Sequence, residues 1–75
     1  QMSIGGIGWA IDEMRSNQLM RRRGWHGEGM WVAICEESGA KMTAPFLYMR
    51  LPNGRLIPWV ASQSDLLADD WEHVR

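Results

Sequence analysis

Trp25, His26, Gly27, Glu28 and Gly29 follow directly on three arginines, Arg21, Arg22 and Arg23. These residue types suit the recognition of a nucleotide. An indole can stack flat on a purine, a contact worth about 1–3 kcal/mol per base. Gly27 and Gly29 can take positive φ and leave backbone N–H groups uncovered, and consecutive N–H groups of this kind form a concave nest for phosphate. Arg23 and its neighbours can pair with phosphate oxygens. A glycine-x-glycine spacing is a weak signal when it stands alone. The same residues also read as a glycine-rich connection whose Trp25 packs in the core.

A second stretch, residues 57–67, offers complementary groups. Pro58 fixes the backbone beside Trp59. Ser62, Gln63 and Ser64 supply hydroxyl and amide donors and acceptors, and Asp65 could hold a pair of ribose hydroxyls. The other reading is purely structural: Trp59 as an apolar contact, Ser62 as a helix cap and Asp65 three residues on as its capping-box partner. A carboxylate at that position opposes anion binding, so phosphate is not expected at this helix start.

Catalysis is not expected. His26, Glu28, Asp65 and Asp69 are acid–base candidates by type, but no nucleophile sits in a recognisable motif, and Ser62 and Ser64 lack a glycine elbow. There is no P-loop. His26, His73 and Cys35 have no zinc-ligand spacing. The sequence therefore predicts no metal and no cofactor.

These groups must be positioned by a small scaffold. Ile7, Ala10, Ile11 and Met14 recur at spacings of three and four, the apolar face of a helix over residues 6–17, with Ser3 as its cap and Asn17 as its stop. Asp12 and Glu13 face outward on this helix. Residues 30–35 are apolar throughout and read as a buried strand. Residues 46–51 read as another strand, Asn53-Gly54 as a two-residue hairpin turn, and residues 55–57 as the returning strand that ends at Pro58. Residues 62–71 read as a short helix whose apolar side is Leu66, Leu67 and Trp71. The fold class is α+β: a small antiparallel sheet of at least three strands with an N-terminal helix and a short C-terminal helix. Trp31, Trp71 and Cys35 are expected in the core, and Trp9, off the helix stripe, is expected to be exposed as a possible interface anchor.

Length and composition limit the partners. A chain of 75 residues forms one domain over residues 1–75 and buries only about 60–65% of its unfolded surface. Cys35 is the only cysteine, so no intramolecular disulfide staples it, and self-association becomes the expected source of further burial. Apolar residues make up 45% and charged residues 23%, which is a globular composition. Eight Lys+Arg against nine Asp+Glu give a net charge of −1, which argues against coating a DNA or RNA polymer. The charge is uneven: Arg15 and Arg21 to Arg23 lie in the first third, and Asp65, Asp69, Asp70 and Glu72 near the end. No apolar run approaches a membrane span, and no basic start precedes an apolar stretch. A cytoplasmic protein without a membrane partner is expected.

Two pieces of sequence together resemble the Thoeris anti-defence protein 2 family of bacteriophages. They are Arg23-Gly24-Trp25-x-Gly27-x-Gly29-Met30 and Pro58-Trp59-x-x-Ser62-Gln63-x-Asp65-Leu66-Leu67-Ala68-x-Asp70-Trp71, within a likeness that runs over residues 4–74. The resemblance implies a sponge acting in the cytoplasm of the infected bacterial host. Members bind cyclic ADP-ribose isomers made by Toll/interleukin-1-receptor-type proteins and hold them intact, so that the Thoeris effector is not activated. For some members the resemblance extends to cyclic oligonucleotides of the CBASS pathway in a separate pocket. It further implies a homotetramer with ligand held between subunits. The ligand-binding candidates are then Arg23, Trp25, His26, Gly27, Gly29, Trp59, Ser62, Gln63 and Asp65. This chain departs from the family pattern at His26, where Asn is usual, and at Val60-Ala61, where a proline often precedes the Ser-Gln pair. The alternative function is a phage module that binds a host protein through exposed tryptophans.

Overall fold

The computed structural model describes residues 5–36 and 44–74. Helix α1 (Ile7–Arg15) forms where the apolar spacing places it. Its stripe is buried: Ala10 and Met14 are sealed, and Ile7 and Ile11 pack against them. Gly6 occupies the cap position with no side-chain hydrogen bond. The proposed cap, Ser3, lies outside the described residues. The stop is as expected: Asn17 takes φ 67°, the left-handed conformation that Asn tolerates, and its N–H donates to the Met14 carbonyl at 3.0 Å.

Five strands follow: β1 (Met20–Arg22), β2 (Trp31–Cys35), β3 (Phe46–Arg50), β4 (Leu56–Pro58) and β5 (Trp71–His73), with a short helix α2 (Gln63–Leu67) between the last two. The sheet order is β4-β3-β2-β1-β5, and every pairing is antiparallel. The architecture is α+β, with the N-terminal helix, antiparallel sheet and short C-terminal helix read from the sequence.

The register divides the side chains between two faces. Met20, Val32, Met49 and Trp71 point to the side covered by α1 and, with Ala10 and Met14, make the core. Trp31, Cys35, Phe46, Tyr48, Leu56 and Pro58 alternate to the opposite side, which no described helix covers. Aromatic rings pack edge-on there, Trp31 against Tyr48 at 5.9 Å. A groove of about 340 Å³ runs between Cys35, Phe46, Tyr48 and β4.

Several local expectations are corrected. The hairpin after β3 is not a two-residue turn. The Gly54 N–H donates to Leu51 O at 2.8 Å and the Leu51 N–H donates to Arg55 O at 2.8 Å, leaving a three-residue loop with only Gly54 left-handed, at φ 88°. Pro52 has no N–H with which to close the Pro52–Arg55 pair of a two-residue Asn53-Gly54 turn, and its fixed φ suits the first central position of the turn that begins at Leu51. The tail helix is shorter than residues 62–71: Leu66 and Leu67 are exposed, and Trp71 belongs to β5 instead. Trp31 and Cys35 are half-buried on the open face, not in the core. Trp9 is half-buried, its ring edge-on to His73 at 5.2 Å, where the sequence placed it in solvent.

Candidate functional site

The loop bearing Trp25 leaves the end of β1. Its first turn is set by backbone bonds: the Trp25 N–H donates to Arg22 O at 3.1 Å and the Arg23 N–H to Asp70 O at 3.0 Å. The Gly24 N–H donates to Asp70 Oδ2 at 3.1 Å. Gly29 closes the loop at φ 73°, and its carbonyl accepts from Arg50 Nη1 at 2.9 Å. A side chain at Gly29 would be strained by that φ and would collide with the Arg50 guanidinium. Gly27 is closely packed. Its φ is not positive, but a Cβ there would run into Met30 and press on Pro52. The nest proposed from two left-handed glycines therefore has one.

Three tryptophans meet beside this loop. Ring centroids lie 5.4 Å apart for Trp25–Trp71, 6.0 Å for Trp59–Trp71 and 6.3 Å for Trp25–Trp59, with interplanar angles of 78°, 81° and 69°. All three contacts are edge-to-face, the favourable arrangement for ring quadrupoles. Trp71 is sealed, while Trp25 and Trp59 are half-buried against the core. No two rings are parallel, so no pair forms a slot into which a base could slide.

The start of α2 supplies the floor of this cluster. Ser62 Oγ accepts the Asp65 N–H and Asp65 Oδ2 accepts the Ser62 N–H, both at 3.1 Å, completing the capping box read from the sequence. Asp65 does more than cap. Its Oδ1 accepts Arg22 Nη1 at 2.9 Å, and its backbone carbonyl accepts the Trp71 indole N–H at 3.1 Å. Arg22 Nε donates to Asp70 Oδ1 at 2.9 Å. Arg22 thus spans two carboxylates, one at the start of α2 and one just before β5.

The protonation states follow from these contacts. Burial pushes the Asp65 carboxyl up, but hydrogen bonds from Arg22, Ser62 and Trp25 outweigh it and hold its pKa below the ordinary value. The hydrogen bond from Arg22, and with it the Gly24 N–H, likewise holds Asp70 below its ordinary value. Hydrogen bonds from Asp70 and Asp65 raise the Arg22 pKa in return. All three stay charged at neutral pH.

The sequence candidates therefore divide. Trp25, Trp59, Ser62 and Asp65 converge around Trp71. Asp65 is only 9% exposed, with both carboxylate oxygens engaged by the protein. Arg23 is exposed and its Nε reaches Glu72 at 3.4 Å, and His26 and Gln63 are exposed. Arg22, Asp70 and Trp71 were missed as parts of one unit. The signal for them was the charge asymmetry: the antiparallel pairing of β1 with β5 sets the early arginines against the late acids, Arg21 on Glu72 at 2.9 Å and Arg22 on Asp70. Among the described residues, no cluster of three His, Cys, Asp or Glu could hold a metal ion, and no helix is long and apolar enough to cross a membrane.

The family model for the Thoeris anti-defense 2-like domain matches residues 5–74. The chain belongs to the Thoeris anti-defense 2-like family. It is also similar to the Thoeris anti-defense 2 protein of Bacillus phage SP01, with 23% identity over 82 residues covering 91% of this chain and 92% of that protein. Membership supports a phage anti-defence role. Every candidate site residue, and the Arg22–Asp65–Asp70 cluster, lies inside the span that defines the Thoeris anti-defense 2-like domain.

Proposed function

We propose that the protein is a phage sponge that binds cyclic ADP-ribose-type signalling nucleotides and keeps them from the Thoeris effector without degrading them. The observation that carries this reading is the half-buried Trp25–Trp59 pair on a sealed Trp71, flanked by Arg23, His26 and the Gly27–Gly29 loop. Indole surface serves as the base platform, the loop N–H groups and Arg23 serve the phosphates, and Ser62 and Gln63 serve sugar hydroxyls or the purine edge. Asp65 contributes by fixing Ser62 and the tryptophans. The chemistry favours holding over cutting: Asp65 and Asp70 are kept ionised by Arg22 and make poor proton donors at neutral pH.

A single chain presents this platform open to solvent. The sheet face that no described helix covers, with Trp31, Phe46, Tyr48, Leu56 and Pro58, supplies apolar surface for self-association, and the proposed assembly is a homotetramer that encloses ligand between subunits. The proposed setting is the cytoplasm of the infected host. The exposed Val60, Leu66 and Leu67 favour a second reading, docking onto a host protein.

Capture and release tests the proposal. The protein is incubated with lysate from Thoeris-activated cells, removed by filtration, then heated, and filtrate and released material are applied to the effector. An inactive filtrate with an active release is expected. A sponge needs a Kd near nanomolar, about −12 kcal/mol. A signal that vanishes without return identifies an enzyme. A filtrate that stays active removes this ligand class and leaves protein docking; purified cyclic oligonucleotides, run in parallel, test the second ligand class of the CBASS pathway.

A further inference from the structure

We propose that Arg22 is a positioning residue of the candidate site, the side chain that ties the Trp25 loop to the Trp59–Asp65 segment through two carboxylates. The inference rests on the nucleotide-binding reading of that site. Its geometry is a fork with two carboxylate ends. On one side Nε holds Asp70 Oδ1 at 2.9 Å, and the other oxygen of Asp70 accepts the Gly24 N–H, one residue before Trp25. On the other side Nη1 holds Asp65 Oδ1 at 2.9 Å, and the other oxygen of Asp65 accepts the Ser62 N–H at the start of α2. The Arg22 carbonyl accepts the Trp25 N–H, and the Asp65 carbonyl accepts the Trp71 indole. Two walls of the site, more than thirty residues apart in the chain, are therefore joined through one guanidinium, beside the direct hydrogen bond of the Trp25 side chain to Asp65.

The chemistry calls for Arg specifically. A planar guanidinium presents donors at fixed angles and can serve two carboxylates at once; an ammonium is a point charge on a flexible stem. The Arg22 side chain is 21% exposed and the two acids 13% and 27%, so water screens the cluster only in part. Arg21 and Arg23 have no such role, since both turn to Glu72 on the exposed side. Holding two separate segments in their binding arrangement before ligand arrives removes an ordering cost from association. The tryptophan rings meet only through edge-to-face contacts, which permit sliding. Beside the hydrogen bonds of the Trp25 and Trp71 side chains to Asp65, the fork supplies the directional link between Asp65 and Asp70.

The test uses the full chain, two variants and two readouts. Arg22→Lys keeps the charge and loses the fork. Asp70→Ala releases Gly24 and leaves the Arg22–Asp65 pair in place, so it serves where Arg22→Lys does not fold. The first readout, taken without ligand, is amide exchange at Gly24 and the Trp25 indole N–H resonance. The second is calorimetric affinity for a purified cyclic ADP-ribose isomer. In either variant Gly24 exchange should quicken and affinity should fall, each by about tenfold or more, as expected for losing a charge-assisted hydrogen bond. Folding of the remainder is checked by unshifted resonances and retained amide protection at Val32 and Met49 in the core. The proposal is overturned if Gly24 and Trp25 behave as in the parent protein, or if they loosen while affinity holds. A parent protein that binds no isomer removes the nucleotide reading instead, and the exchange data still decide whether Arg22 ties the two segments together.

Discussion

Replacing Asp65 with alanine separates two roles that the sequence leaves entangled. If Asp65 were only a hydroxyl-binding residue, its loss would weaken ligand and leave stability unchanged. In the structure it is 9% exposed and accepts from Ser62 and Arg22. Losing its half of the capping box costs about 0.5–1 kcal/mol, since Ser62 Oγ still caps the helix. Losing the charge-assisted bond to Arg22 costs about 1.5–3 kcal/mol. The lower end applies, because Arg22 keeps Asp70 and both side chains are partly open to water. The sum is about 2–3 kcal/mol, against roughly 4–11 kcal/mol for a domain of this size. At about 4–8 °C per kcal/mol, Tm should fall by roughly 10–20 °C. Scanning calorimetry at one fixed protomer concentration measures it, which keeps the proposed self-association out of the comparison. Asp65→Asn keeps an acceptor for Ser62 and should lose about half as much. A fall of less than about 3 °C for Asp65→Ala would refute the structural assignment of this residue.

Acid should destabilise the protein through the same cluster. Asp65 and Asp70 have lowered folded-state pKa values, so their contribution is complete above the unfolded value of 3.8 and is lost as pH falls through the folded ones. Urea midpoints should agree between neutral pH and about pH 5 and drop below about pH 4; midpoints that hold steady down to pH 2 would contradict this. Met20→Ala removes a side chain with 0% exposure between α1 and the sheet and should cost about 2–5 kcal/mol by denaturant titration, with a cost below 1 arguing that β1 is not seated on the core. Gly54→Ala places a Cβ at φ 88° and should cost about 1 kcal/mol, while Gly54→Asn should cost less; equal stability of all three would show a different turn.

The elements that were legible in the sequence are those whose signal is local. The three-and-four spacing of Ile7, Ala10, Ile11 and Met14 marks a helix that needs only one apolar surface to pack on. The Ser62–Asp65 capping box is a four-residue signal, and it formed. What was illegible depends on partners distant in the chain. β1 is three residues with two arginines and has no strand pattern of its own; it exists because it bridges β2 and β5. Leu66, Leu67 and Trp71 imitate a helical stripe, yet the leucines are exposed and the tryptophan's position is set by pairing with Arg22. The longer hairpin loop was legible in Pro52, which precedes the Asn-Gly pair and lacks the N–H that a two-residue turn needs at its flanking position. In the site, the aromatic and glycine motifs were legible as types. The double use of Arg22 was not, because a guanidinium's partners are set by the fold.

The tryptophan cluster carries a constraint on how any base can bind. Three rings crossed at 69–81° present no parallel pair, so a purine must lie as an outer layer on Trp25 or Trp59. One such stack supplies about 1–3 kcal/mol, far short of the roughly 12 kcal/mol that nanomolar capture requires. The difference has to come from phosphate contacts and from exclusion of water, and the half-buried rings of a single chain leave one side of the base open. The sheet makes a parallel demand, because no described helix covers Trp31, Phe46 and Tyr48 on its outer face. Under the proposed function both demands are met by one step, the approach of further copies that cover the sheet face and close the platform. Tight capture is then a property of the assembly, so charge placed on the open face at Tyr48 should weaken ligand from a distance without touching any residue of the tryptophan cluster.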